Sequence, residues 1–315
     1  MKAACTGTSY TLTVKDKGAH VRQVCGCIAW TRLAGAILLL LSQAGACRAI
    51  AAEFSPEKVP IRLALTFVRA NPVTNLTVGS QRVQAVVDTG GDGAVTLSKE
   101  VIEGVKGVRL SGALVTTNSY GEALTKPRFR VPAVTIGGRI FHDMPVVQAP
   151  TWPAGKQPPV PNGIGRQFLS GYFVVVDFPD RSVTLLNPER RSAVGRTCGG
   201  AWIPMEHTHE ADLVVGKLAT QAGPLRLLFD TGATYSVLSG TTASRLRLQT
   251  VARGRAPVRF YESRALSASG QSFGPLEFVV FPLKLPRDFD GMLGLNFFMR
   301  HVVCLDYQRR RVFIR

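Results

Sequence analysis

Residues 73–88 read VTNLTVGSQRVQAVVD: β-branched and polar positions alternate, break once at Gly79-Ser80, and end on an aspartate. Residues 212–230, DLVVGKLATQAGPLRLLFD, follow the same plan and also end on an aspartate. Period-two alternation bounded by Gly-containing turns predicts β-hairpins. Further strand-like runs lie at 129–148, FRVPAVTIGGRIFHDMPVVQ, and at 274–285, GPLEFVVFPLKL. Sustained helical periodicity is absent. Lys99 to Glu103 and Thr241 to Arg247 predict single helical turns, so the pattern as a whole predicts an all-β protein.

The pattern is written twice. AVVDTGGDGAVTLS at 85–98 and LRLLFDTGATYSVLS at 225–239 each place Asp-Thr-Gly after an apolar run and Leu-Ser soon after it. A second block, GRQFLSGYFVVVDFPDRSVTL at 165–185, aligns without a gap to GLNFFMRHVVCLDYQRRRVFI at 294–314. Gly165/Gly294, Phe168/Phe297, Val174/Val303, Asp177/Asp306, Arg181/Arg310 and Val183/Val312 are identities. Two matched blocks in one order make the chain two copies of one unit. The division expected is 1–51 as a leader, 52–190 as the first lobe and 191–315 as the second. Residues 187–200 supply a polar, Gly-rich linker, and the Pro-rich segment 150–161 is a loop that the second unit lacks.

Doubling changes what the aspartates can do. One buried carboxylate is a costly group, but two within hydrogen-bonding distance share a proton, because both cannot ionise. The ionised partner can take a proton from water while the protonated one polarises a carbonyl. Asp88 and Asp230 are the candidate catalytic pair. Gly90 and Gly232 would permit close backbone approach, and Thr89 and Thr231 offer hydroxyls to lock the two turns together. The repeated Asp177 and Asp306 lie at strand ends before polar turns and read as turn caps. His207-Thr208-His209-Glu210 could set two imidazoles on one strand face, but further clustered ligands are missing and no metal or other cofactor is expected. No GxSxG, HExxH or phosphate-cradling glycine loop is present.

These motifs resemble the aspartic protease family over nearly all of residues 60–315. Asp88-Thr89-Gly90 and Asp230-Thr231-Gly232 match its catalytic triplets. Ile164-Gly165 and Leu293-Gly294 match its later apolar-Gly element. The resemblance implies two pseudo-symmetric retropepsin-like β-barrel lobes in a pepsin-like arrangement, with an active-site cleft between them. It also implies that Asp92 contacts substrate backbone and that Tyr120, in Thr116 to Gly121, is the flap tyrosine. Unit one has an extra residue between its triplet and Leu97-Ser98, and in unit two Phe260-Tyr261 is the candidate flap. Gly91 and Ala233 follow the triplets where many pepsins carry Ser or Thr. Losing that hydroxyl predicts a mildly acid rather than strongly acid optimum. The activity implied is an aspartic endopeptidase acting on peptide or protein substrate, expected as a monomer. A peptide-binding module that lost turnover is the alternative, and a cell-surface protein binding anionic polymer a weaker third.

Composition adds little about chemistry and more about location. The 315 residues are 45% hydrophobic with 31 Gly and 19 Pro, which suits a loop-rich globular fold. Formal charge is +17; residues 1–51 hold six of the 38 Lys/Arg and one of the 21 Asp/Glu, leaving +12 on the rest. The basic residues are scattered, and Arg309 to Arg311 reads as a hairpin turn, so no nucleic-acid partner is expected. Arg22 and Arg32 precede an apolar stretch ending in small residues, the pattern of an export signal, and the product would be periplasmic or secreted. Fifteen uncharged residues between Arg32 and Arg48 fall short of the ~20 that span a bilayer. A membrane tether would require a retained signal or lipidation at Cys47. Once Cys5, Cys25, Cys27 and Cys47 are set aside, Cys198 and Cys304 remain as an even pair in an oxidising compartment, where a disulfide between them is expected.

Overall fold

The structure is a computed structural model describing residues 60–117, 123–151, 158–189, 198–199, 202–207, 214–252, 259–283, 285 and 289–315. The leader with Cys47, the flap tyrosine Tyr120 and most of the linker lie outside these residues. Strands make up 55% of the described residues and helix 9%.

Eight strands of unit one form one sheet, and three others join twelve from unit two in a fifteen-stranded sheet. The two units meet within the larger sheet, between its third and fourth strands. There Phe173–Asp177 runs antiparallel to Val303–Asp306, with Val175 opposite Cys304. Val175 and Cys304 are also equivalent positions of the repeat. A residue that pairs with its own counterpart lies on a two-fold axis, so the second repeated block is where the chain's symmetry is built. Ser182–Leu186 and Ile61–Ala64 extend the sheet on one side. Arg311–Ile314 and Ile203–His207 extend it on the other.

Each repeated motif has a local reason. The strand Val95–Leu97 ends at Ser98, whose Oγ accepts from the Val101 amide and caps the helix Lys99–Glu103. Val237–Ser239 ends the same way, with Ser239 Oγ accepting from Thr242 N at 3.0 Å ahead of the helix Gly240–Arg245. The carboxylates of Asp177 and Asp306 accept the amides of Asp180 at 3.0 Å and Arg309 at 3.1 Å. Arg181 and Arg310 then take left-handed φ of 46° and 49°. Asp306 is also buried and ion-paired to Arg309 and Arg311. Phe168 and Phe297 are fully buried, each central to the apolar packing of its unit. Tyr261, the candidate second flap residue, is instead a core residue of the strand Arg259–Ser263, stacked on Phe278.

A second apolar cluster lies on the other face of the central sheet. It holds Phe173, Val175, Leu186 and Phe313, with Trp202 between the Phe173 and Phe313 rings. Cys198 is disulfide-bonded here to Cys304, Cα to Cα 6.3 Å, closing a loop with a sequence separation of 106. A loop of this length constrains the unfolded chain by about 4 kcal/mol if native geometry is unstrained. Replacing both cysteines by alanine should lower the urea midpoint accordingly with little change in far-UV dichroism. Denaturation with and without reductant, alongside non-reducing mass spectrometry, checks this.

Candidate active site

The strand Gln81–Val87 delivers Asp88, and Gly223–Phe229 delivers Asp230. Beneath each loop passes the apolar-Gly element. Asp88 N donates to Ile164 O at 2.9 Å and Asp230 N to Leu293 O at 3.0 Å. Arg166 N and Leu295 N donate back to Gly91 O and Ala233 O, at 2.8 and 2.9 Å. A Cβ on Gly294 would stand 2.7 Å from Ala233 O, and one on Gly165 3.0 Å from Gly91 O, so glycine is required at both crossings.

The two loops are tied by their threonines. Thr89 Oγ1 donates to Phe229 O at 2.6 Å and accepts from Thr231 N at 3.0 Å. Thr231 Oγ1 donates to Val87 O at 2.6 Å and accepts from Thr89 N at 3.0 Å. Both threonines are fully buried. Each hydroxyl therefore spends its proton on a carbonyl of the other unit and a lone pair on an amide of the other unit. This reciprocal exchange fixes where the two aspartates stand.

The carboxylates meet above it. Gly90 N donates to Asp88 Oδ1 at 3.0 Å and Gly232 N to Asp230 Oδ1 at 2.8 Å. A Cβ on Gly90 would lie 2.5 Å from the Asp230 carboxyl carbon, and one on Gly232 2.7 Å from that of Asp88, which excludes any side chain there. Each carboxyl thus lies against the other unit's loop, and the two aspartates act on one another's proton affinity. Desolvation raises both above the ordinary carboxylate range. The Asp230 side chain and amide donors offset part of this at Asp88, whereas the Asp88 charge pushes Asp230 further up. The pair therefore holds a proton at a pH where isolated carboxyls have lost theirs.

Asp92, four residues on, accepts from Thr116 Oγ1 at 2.7 Å and lies 3.6 Å from Lys126 Nζ. It thus joins the first catalytic loop to the turn end of the long hairpin Arg109–Thr117 and Ala123–Ile136. The sequence did not reveal Lys126, because its proximity follows from hairpin register. Among the described residues no three His, Cys, Asp or Glu side chains gather as metal ligands.

Two outcomes are expected. Thr89→Val or Thr231→Val leaves a buried carbonyl and amide unpaired and should cost about 2–4 kcal/mol in denaturant melts, whereas Thr→Ser, which keeps the hydroxyl, should cost much less. The second concerns pH. Because the folded pair binds protons more tightly than the unfolded chain, its contribution to stability is intact below the unfolded value. It is lost as pH rises through the raised folded values. Asp230→Asn should therefore raise the melting temperature at about pH 7 by about 2–4 °C, the shift expected for ~1 kcal/mol. Near pH 3 the gain should vanish, as calorimetry at both pH values can show.

The family model described as aspartyl protease matches residues 74–168 and 214–297, one segment in each unit and more than half of the chain together. Among solved structures, the chain is similar to the aspartic proteinase from Irpex lacteus. The TM-score is 0.57 over 81% of this chain and 97% of that chain, at 14% sequence identity. At that identity the likeness concerns the fold, and no curated protein matches in sequence. With a family match in both units, Asp-Thr-Gly loops facing across a two-fold axis and a shared fold, the chain belongs to the aspartyl protease family.

Proposed function

We propose that the protein is an aspartic endopeptidase in which Asp88 and Asp230 act as one singly protonated dyad. The observation that carries this is the pair of facing carboxyls, held by reciprocal threonine bonds, with both proton affinities raised by burial. A water lying between the two carboxyls would lose a proton to the ionised one as its oxygen attacks the peptide carbonyl carbon. The protonated partner gives its proton to the carbonyl oxygen, forming a neutral gem-diol. The diol then returns a proton to a carboxylate, the amide nitrogen takes one up, and the carbon–nitrogen bond breaks to give a new carboxyl and a new amine. Every proton is supplied and recovered by the dyad and the water. Both aspartates come from one chain, so no second copy is needed. We extend the proposal to export, on the apolar leader pattern and the Cys198–Cys304 bond.

Either Asp→Asn change should abolish hydrolysis, and the double variant should be no worse than a single one, because the two groups act as a unit. The wild-type rate should follow a bell in pH, falling on the alkaline side as the last shared proton leaves. Ala233→Thr should restore a hydroxyl donor near Asp230 and move that limb to lower pH. Gly91 is the poorer place for this test, since a Cβ there would stand 2.8 Å from Asp88 Oδ2. Peptide-library cleavage across pH gives the readout. Binding without cleavage by the wild type would favour a peptide-binding module instead.

A further inference from the structure

The face of the long hairpin that meets the catalytic loop carries a row of charges. Alternation puts Lys126, Arg128 and Arg130 on one side of their strand. Across the register Lys126 faces Leu114, Arg128 faces Gly112, and Arg130 faces Arg109. On the other flank Arg128 lies opposite Val147, whose Cγ2 would be 3.1 Å from a Cβ on Gly93 of the catalytic loop. Both ends of the row hold acids. Asp92 takes Lys126 at one end. Asp143 takes Arg109 at 2.8 Å and Arg130 at 3.7 Å at the other.

Arg128 stands between them with no acid. It is half-buried, and its guanidinium makes no hydrogen bond or ion pair with a described residue. Lys126 and Arg130 flank it two residues away on either side, about 7 Å along a strand. Their own acids lie outward, so the middle of the row is left positive. Opposite Arg128 the hairpin has Gly112, at φ 112°, and nothing lies within 4 Å of where its Cβ would be. Room, a half-desolvated guanidinium and two neighbouring cations favour an anion there.

We infer that Arg128 is a specificity-determining residue that takes a glutamate or aspartate side chain of an extended peptide lying in the cleft. This rests on the peptidase reading above. The incoming carboxylate would be the missing acid of the row, paired to the guanidinium fork. The excess of 38 Lys/Arg over 21 Asp/Glu in the chain would draw acidic peptides in the same direction.

The test uses octapeptides identical except for one position carrying Glu, Gln or Lys, scanned through every position. Two readouts are taken: kcat/KM with the wild type, and fluorescence-anisotropy binding of the labelled peptides to the Asp88→Asn protein. Glu should exceed Gln by about tenfold at one position in both readouts near pH 5.5. The advantage should fade below about pH 4, where the peptide's own carboxyl is protonated. Arg128→Gln should remove it, Arg128→Lys should retain part of it, and Arg128→Glu should turn it into a preference for Lys. Equal handling of Glu and Gln at every position, or a Glu preference that survives Arg128→Glu, overturns the inference. If no peptide is cleaved but the Arg128-dependent binding preference holds, the peptidase reading fails and the subsite stands. Cleavage without any charge preference upholds the peptidase reading and removes the subsite.

Discussion

Two carboxylates that repel one another are kept side by side by four hydrogen bonds running between equivalent atoms of two units. Thr89 and Thr231 each give a proton to the other unit's carbonyl and accept one from the other unit's amide. Because both side chains are fully buried, water cannot substitute for any of these bonds. The exchange works only if the units are related by a two-fold axis. The central sheet supplies that axis from below, where Val175 pairs with its own counterpart Cys304. Symmetry at the base thus makes the chemistry at the top possible.

Glycine and burial then set the proton affinity. Gly90 and Gly232 let each backbone lie against the opposite carboxyl, and any Cβ there would collide with it. Desolvation raises both aspartates and the Asp88 charge raises Asp230 further, while the amide donors Gly90 and Gly232 offset part of the rise at each. A site so built is costly to the fold at neutral pH, which is the usual relation between a destabilised site and activity.

Much of this was legible in the sequence because its signals are local and repeated. Asp-Thr-Gly after an apolar strand, Leu-Ser before a helical turn, and Asp followed by a left-handed arginine all repeat in order, and each has a short-range cause. What escaped depends on register over long distances. Lys126 reaches Asp92, and Arg128 falls between two satisfied neighbours, only because a fourteen-residue strand pairs across an irregularity between Leu110 and Gly112. A one-residue slip would put all three cations on the other face. Phe260-Tyr261 was not placed for a related reason: the sequence shows an aromatic pair in a strand, not whether Tyr261 faces cleft or core.

Everything above the threonine exchange depends on Asp88 and Asp230 titrating as one pair. Carbon-13 NMR of aspartate-labelled protein reads this directly, with the Cγ resonances of the two residues assigned through the single Asp→Asn variants. Both resonances should move together in two separated steps, the upper one lying well above the ordinary carboxylate range, and that upper step should disappear in either variant. Two independent single-step titrations near the ordinary value of about 3.9 would contradict it.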